Sequence, residues 1–173
     1  MKNLICLKFG FHKDIIVDLE LLKIDLLWML DKEVKEEGAL VYEQEFFSNG
    51  GKRGEILLHD GQVAFIFRDR FEHAFYTSPD RIRHPYSKSK IAHDRVERIK
   101  WIKPILEGKV KGTQCWLVPD PRRKKRLYVV MQEQYIIWLE ERNDGGWKFS
   151  TAYCAENQNI KRYTTKGVKI WET

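Results

Sequence analysis

Cysteine is scarce: the 173-residue chain has three, Cys6, Cys115 and Cys154. An odd number rules out a framework in which every cysteine is paired, and no CxxC spacing supplies the paired thiolates of a zinc site. Cys115 and Cys154 fall in expected strands, where a buried thiol acts as a small hydrophobe. Long apolar runs are missing too. Leu26 to Leu30 is among the longest, far too short to cross a bilayer. The opening MKNLICLKFGF lacks a long apolar core followed by small residues, so no cleaved leader is expected there. Repeats and low-complexity tracts are absent. These absences set aside disulfide-stapled, zinc-ribbon, transmembrane and repeat classes, and leave the cytosol as the expected compartment.

Apolar and aromatic side chains, by contrast, are plentiful. At 43% hydrophobic and 13% aromatic, the composition excludes a disordered chain. The length suits one domain with a sizeable core and is short for two that would each stand alone. The formal net charge of +6 is unevenly spread. Residues 1–60 carry 8 Lys and Arg against 12 Asp and Glu, while residues 61–173 carry 23 against 13. That asymmetry favours a polyanionic partner touching the later residues.

Apolar residues at Ile15, Ile16, Leu19, Leu22, Leu26, Leu27, Leu30 and Val34 step by three and four, which predicts an amphipathic helix over 14–37 ended by Gly38. Asn3 to Phe11 reads as a short strand, and Gly38 to Gly54 as a strand and a loop. EILLHDGQVAFIF sets two apolar runs around Asp60-Gly61, a hairpin signature. Phe71, His73 and Phe75 alternate with period two, so Arg68 to Thr77 is expected as a strand, followed by a polar loop from Ser78 to Lys90. Ala92 to Gly108 has Asp94 and Glu97 in capping-box spacing, with Pro104 expected to break that helix and start a second one. From Thr113 onward TQCWLV, RLYVVMQ, YIIWLEE and WKFSTAY give four strands with short connections, hence an antiparallel meander. Ile160 to Trp171 fits either a closing helix or a strand. The expected fold is α+β in a single domain, residues 1–173. It comprises an acidic helical part over 1–50, a hairpin and strand over 55–77, and a basic helix packed with an antiparallel sheet of about four strands over 92–173.

Several residues could carry chemistry. Arg95 and Arg98, three apart on a helix, can converge on one anion as planar forks that match phosphate oxygens; pairing with Asp94 or Glu97 is the plainer alternative. Histidine moves protons near neutral pH, and His73 and His93 are the candidates. His73, between two phenylalanines, also suits a hydrogen-bonded core position, and His59 a solvated turn. Arg122, Arg123, Lys124, Lys125 and Arg126 form a cationic loop that would grip a nucleic-acid backbone without reading sequence, or simply be a solvated hairpin connection. In WKFSTAY a period of two puts Trp147, Phe149, Thr151 and Tyr153 on one face, so an aromatic face ends in two hydroxyls. These can bond a phosphate or satisfy the end of the sheet. None of these residues asks for a metal or a cofactor.

Taken together, RVERIKWIKPIL, CWLVP, the pair RLYVVM and YIIWLEE, and GGWKFSTAY resemble a phage- and toxin-associated group in the superfamily of metal-independent endoribonucleases that takes in barnase, EndoU, the tRNA-cleaving colicins and RelE. The resemblance covers roughly residues 70–165. It implies helical material packed on a four-stranded antiparallel sheet whose exposed face holds RNA, and cleavage by attack of the ribose 2'-hydroxyl on the adjacent phosphorus. It further implies Arg95 and Arg98 as a charge clamp and Thr151 and Tyr153 as positioning groups, with His73 and His93 fitted to the acid–base roles. RNA is the implied partner, with an inhibitor or antitoxin protein as a further one. The alternative is a non-catalytic nucleic-acid- or protein-binding module derived from that fold, since no conventional His and carboxylate pair is evident.

Overall fold

The computed structural model describes residues 16–48, 50–78, 83 and 89–173. The strand expected at Asn3 to Phe11 and most of the loop expected after Ser78 lie outside them. Residues 16–30 are an irregular strap with a 3-10 turn at Glu20–Leu22, and the first helix, α1, runs over Asp31–Phe47. The helix expected over 14–37 is therefore corrected. Leu19 and Leu26 are buried, but the strap's backbone is held from outside, by Val17 N–H donating to Lys109 O (3.0 Å) and Ile24 N–H to Glu97 O (2.9 Å). Tertiary hydrogen bonds have overridden the local periodicity. α1 starts where Glu33 Oε2 reaches back to accept from Leu30 N–H at 2.7 Å, satisfying one donor at the helix end. Gly38 does not stop the helix. It lies inside it, where a Cβ would stand 2.7 Å from Val96 Cγ1 and 3.2 Å from Phe71 Cζ. Glycine there permits close packing of α1 on its neighbours.

β1 (Arg53–Leu57) and β2 (Val63–Phe67) form the expected hairpin, with Gly61 at φ +80° in its turn. The strand expected over Arg68 to Thr77 is instead the helix α2 (Arg70–Phe75), which buries Phe71, Ala74 and Phe75 at helical spacing. Two short strands follow, β3 (Tyr76–Thr77) and β4 (Lys90–Ile91), paired antiparallel. The expected 92–108 helix is segmented into α3 (His93–Val96), a 3-10 turn (Ile99–Trp101) and α4 (Ile102–Leu106). Ala92, not Asp94, is the N-cap of α3. The break comes at Arg98, and Pro104 sits in the first turn of α4, where helical N–H groups have no intrahelical acceptor.

The period-two region folds as read into β5 (Thr113–Val118), β6 (Lys125–Val130), β7 (Tyr135–Glu141) and β8 (Trp147–Cys154), an antiparallel meander. The ambiguous tail is both of its options: α5 (Asn157–Thr165), then β9 (Val168–Glu172) antiparallel to β5. The sheet has seven strands, not about four, in the order β1-β2-β8-β7-β6-β5-β9, with β2 and β8 parallel. Its first face carries Cys115, Tyr128, Ile137 and Phe149 into the main core, with Trp101, Ile102 and Ile105 on the helical side. α5 covers one end of the second face, burying Ile160 against Leu127, Val129 and Ile136. The rest of that face is half-buried, and the functional candidates lie there.

Candidate nucleic-acid interface

An irregularity in β8 decides which side chains meet. Phe149 pairs with Leu139 and Thr151 with Trp138, so Ser150 is an extra residue in a bulge. One inserted residue reverses the alternation beyond it. Trp147, Phe149 and Ala152 face the main core, whereas Thr151 and Tyr153 stand on the second face beside Trp138 and Ile136. The single aromatic-to-hydroxyl face expected from WKFSTAY is thus corrected; the bulge separates the aromatics from the hydroxyls.

Register now places whole rows across the second face. Lys169, Trp116, Leu127, Trp138 and Thr151 are successive cross-strand partners from β9 to β8. Beside them run Val118, Lys125, Glu140 and Lys148. With strands about 4.8 Å apart, the two indoles of the first row stand about 10 Å from each other. Lys169 Nζ lies 5.9 Å from the Trp116 ring centre, and Trp138 meets Tyr163 of α5 edge-on at 5.2 Å. Partial burial, then the Arg70 charge, push the Lys148 ammonium below its usual range, with Arg123 acting in the same sense.

Where this face meets α3 and α5 there is a cavity of about 600 Å³. Arg95, Thr151, Tyr153, Asp94, Glu156, Asn159, Arg162 and Tyr163 line it, with Tyr76, Thr77, Ser78, Cys154 and Ala155. Arg95 Nη1 donates to Ala74 O at 2.8 Å, and its guanidinium carbon lies 5.0 Å from the Tyr153 ring centre. Burial, and next the hydrogen bond with Tyr163, push the Tyr153 hydroxyl up to about 12, so it is protonated at neutral pH. Arg95, Thr151 and Tyr153 are therefore brought together.

Arg98 is not. It pairs with Glu97, donates from Nη1 to Asp94 O at 2.6 Å, stacks 5.0 Å from the Trp101 ring centre and does not line the cavity. α3 has ended by then, so residues three apart no longer share a face. His93 Nε2 lies 2.7 Å from Asp31 Oδ1, in an adjoining hollow that shares Thr77, Ser78 and Asp94 with the cavity. His73 is on the exposed side of α2 and Cys154 is exposed, so neither holds the core position read from alternation. Neither histidine lines the cavity.

The basic run divides. Arg122, Arg123 and Lys124 are exposed in the β5–β6 connection, and Lys125 pairs with Asp120 at 2.9 Å. Arg126 is not in a loop: it is 5% exposed on the core face of β6, with Nη2 2.8 Å from Asp60 Oδ2 and its guanidinium 4.3 Å from the Trp147 ring centre. Beside it His59 is stacked on Trp171 at 4.0 Å, and its Nδ1 lies 2.9 Å from Tyr128 Oη, so it is not the solvated turn residue expected. Glu156, Asn159, Arg162 and Tyr163 went unread in the sequence. Asn159, Arg162 and Tyr163 do carry the three-and-four spacing of one helix face, the signal that could have found them.

Among the described residues no group of three or more His, Cys, Asp and Glu side chains could hold a metal ion. Comparison with protein families, with curated proteins and with solved structures finds no match in any of the three.

Proposed function

We propose that the second face of the sheet binds RNA and that the Arg95 cavity cleaves it, as a metal-independent endoribonuclease using the ribose 2'-hydroxyl as nucleophile. The observation that carries this reading is the convergence of Arg95, Thr151 and Tyr153 on a cavity of about 600 Å³, a volume that suits a nucleotide. Arg95 and Arg162 supply charge against the phosphoryl oxygens, and Thr151 positions one of them. A carboxylate, Asp94 or Glu156, takes the 2'-hydroxyl proton as that oxygen bonds to phosphorus. The bond to the 5'-oxygen breaks, and the Tyr153 hydroxyl supplies the proton that oxygen needs. The products are a 2',3'-cyclic phosphate and a 5'-hydroxyl end; the carboxylic acid then releases its proton to water and the phenolate takes one from water, so no net proton is gained or lost. The row of Trp116 and Trp138, with Lys148 in the row beside it, supports RNA as the ligand, because stacking surfaces near a cation suit unpaired bases of any sequence.

A specific observation favours a second reading, RNA binding without cleavage: neither candidate histidine lines the cavity. End-labelled total RNA incubated with the protein in EDTA, scored for cleavage and for gel shift at two salt concentrations, separates the two. Cyclic-phosphate products support the enzyme. A salt-sensitive shift without products supports the binding module, and neither shift nor products refutes both.

A further inference from the structure

Neither the core nor the cavity uses the outer side of the strap before α1. Leu21 is 83% exposed, Leu27 69%, Trp28 90% and Leu30 72%, although Leu19 before them and Leu26 among them are buried. Trp28 adopts φ +70°, a conformation uncommon for a residue with a bulky side chain, and in it the indole is turned outward. Around these side chains the chain is acidic: residues 18–37 carry seven carboxylates and three lysines. An apolar centre with a charged rim is the anatomy of a protein-binding surface, and an exposed tryptophan is a common anchor of one.

The same chain carries a patch of the opposite character. β9 ends the sheet, and its outer edge has no strand partner among the described residues. Val168 is 67% exposed there and Ile170 42%, with Lys161 and Lys166 exposed in the preceding α5 and turn and Lys169 paired with Glu172 at 2.5 Å. An apolar strand edge in basic surroundings is left open to pairing.

We infer that a second copy of this chain occupies the strap, the acidic Trp28 surface of one copy docking on the basic β9 edge of the next. The two surfaces differ, so the contact is head-to-tail, and an open assembly retains one unused surface of each kind, one at either end. This is independent of the RNA reading.

Sedimentation velocity on the full chain tests it, at roughly 10 to 200 µM and at low and high salt, a range suited to a small interface. The wild type is expected to gain mass with concentration and to lose association as salt rises. Trp28→Ser and Val168→Glu change exposed side chains and each is expected to be monomeric alone. Mixed one to one, each brings the surface the other lacks, and the mixture is expected to form a dimer and nothing larger. A wild type that stays monomeric throughout overturns the inference. So does either variant assembling like the wild type, or a mixture that stays monomeric.

Discussion

Replacing Asp60 by alanine strands a guanidinium. Arg126 is 5% exposed, its Nη2 bonds Asp60 Oδ2 at 2.8 Å, and its Nε and Nη1 are buried without a hydrogen-bond partner among the described residues. Without Asp60 the charge keeps the Trp147 ring at 4.3 Å and the neutral Tyr128 and Cys115 side chains, none of them a carboxylate. Removing one partner of a buried pair costs about 3–5 kcal/mol. The Asp60 side chain is 28% exposed, so water replaces part of what it supplies and the lower end, about 3 kcal/mol, is expected. Arg126→Met removes the charge and the unsatisfied donors while leaving an unbranched stem against Trp147. The double variant Asp60→Ala, Arg126→Met is therefore expected to be more stable than Asp60→Ala alone. Urea unfolding with an unchanged slope is the assay. A loss below about 1 kcal/mol for Asp60→Ala, or a double variant weaker than the single, would refute the assignment of Arg126 to the core.

Other expectations follow from particular contacts. Gly38→Ala places a Cβ 2.7 Å from Val96 Cγ1, and overpacking of about 1–3 kcal/mol outweighs the gain in helix propensity of about 1 kcal/mol; a higher melting temperature would contradict this. Burial lowers the His59 pKa from its ordinary 6.5, so below that pH the unfolded chain binds a proton the folded chain resists. Stability is then fully present above 6.5 and is lost as pH falls through 6.5 toward the folded value, and the melting temperature should drop more between pH 7.5 and 5 in the wild type than in His59→Gln. Trp116→Ala should weaken RNA retention by about 1–3 kcal/mol with little change in its salt dependence, whereas alanines at Arg122 and Arg123 should flatten that dependence. Equal effects on the salt slope would refute the stacking role.

The meander was legible through alternation and the first hairpin through Asp60-Gly61 between two apolar runs, both of them local signals. The strap was misread because Leu19, Leu22 and Leu26 keep helical spacing while Lys109 and Glu97 hold the backbone from a distance that local periodicity does not register. Phe71 and Phe75 fit period two as well as helical spacing, and the exposure of His73 with the burial of Ala74 separates the two. In the site, the Arg95 position came from helix spacing, while the cavity's other wall did not. Thr151 and Tyr153 reached that wall through a bulge at Ser150 that no residue type announces, and Arg162 and Tyr163 reached it through a tail with two equally good readings. Arg126 was lost in a run of five cations because its partner, Asp60, is distant in sequence.

In the proposed nuclease Arg95, and not Arg98, faces the scissile phosphate. Single-turnover cleavage of a short labelled RNA in EDTA by Arg95→Ala and Arg98→Ala, each with its melting temperature measured, tests it directly. Losing a charge contact made in the transition state costs on the order of 3 kcal/mol, so Arg95→Ala should cut at least about a hundredfold more slowly than the wild type. Arg98→Ala should lose far less once its stability is allowed for, because its guanidinium is engaged by Glu97 and Trp101. Wild-type rates in Arg95→Ala, or a larger loss in Arg98→Ala at equal stability, would contradict the account.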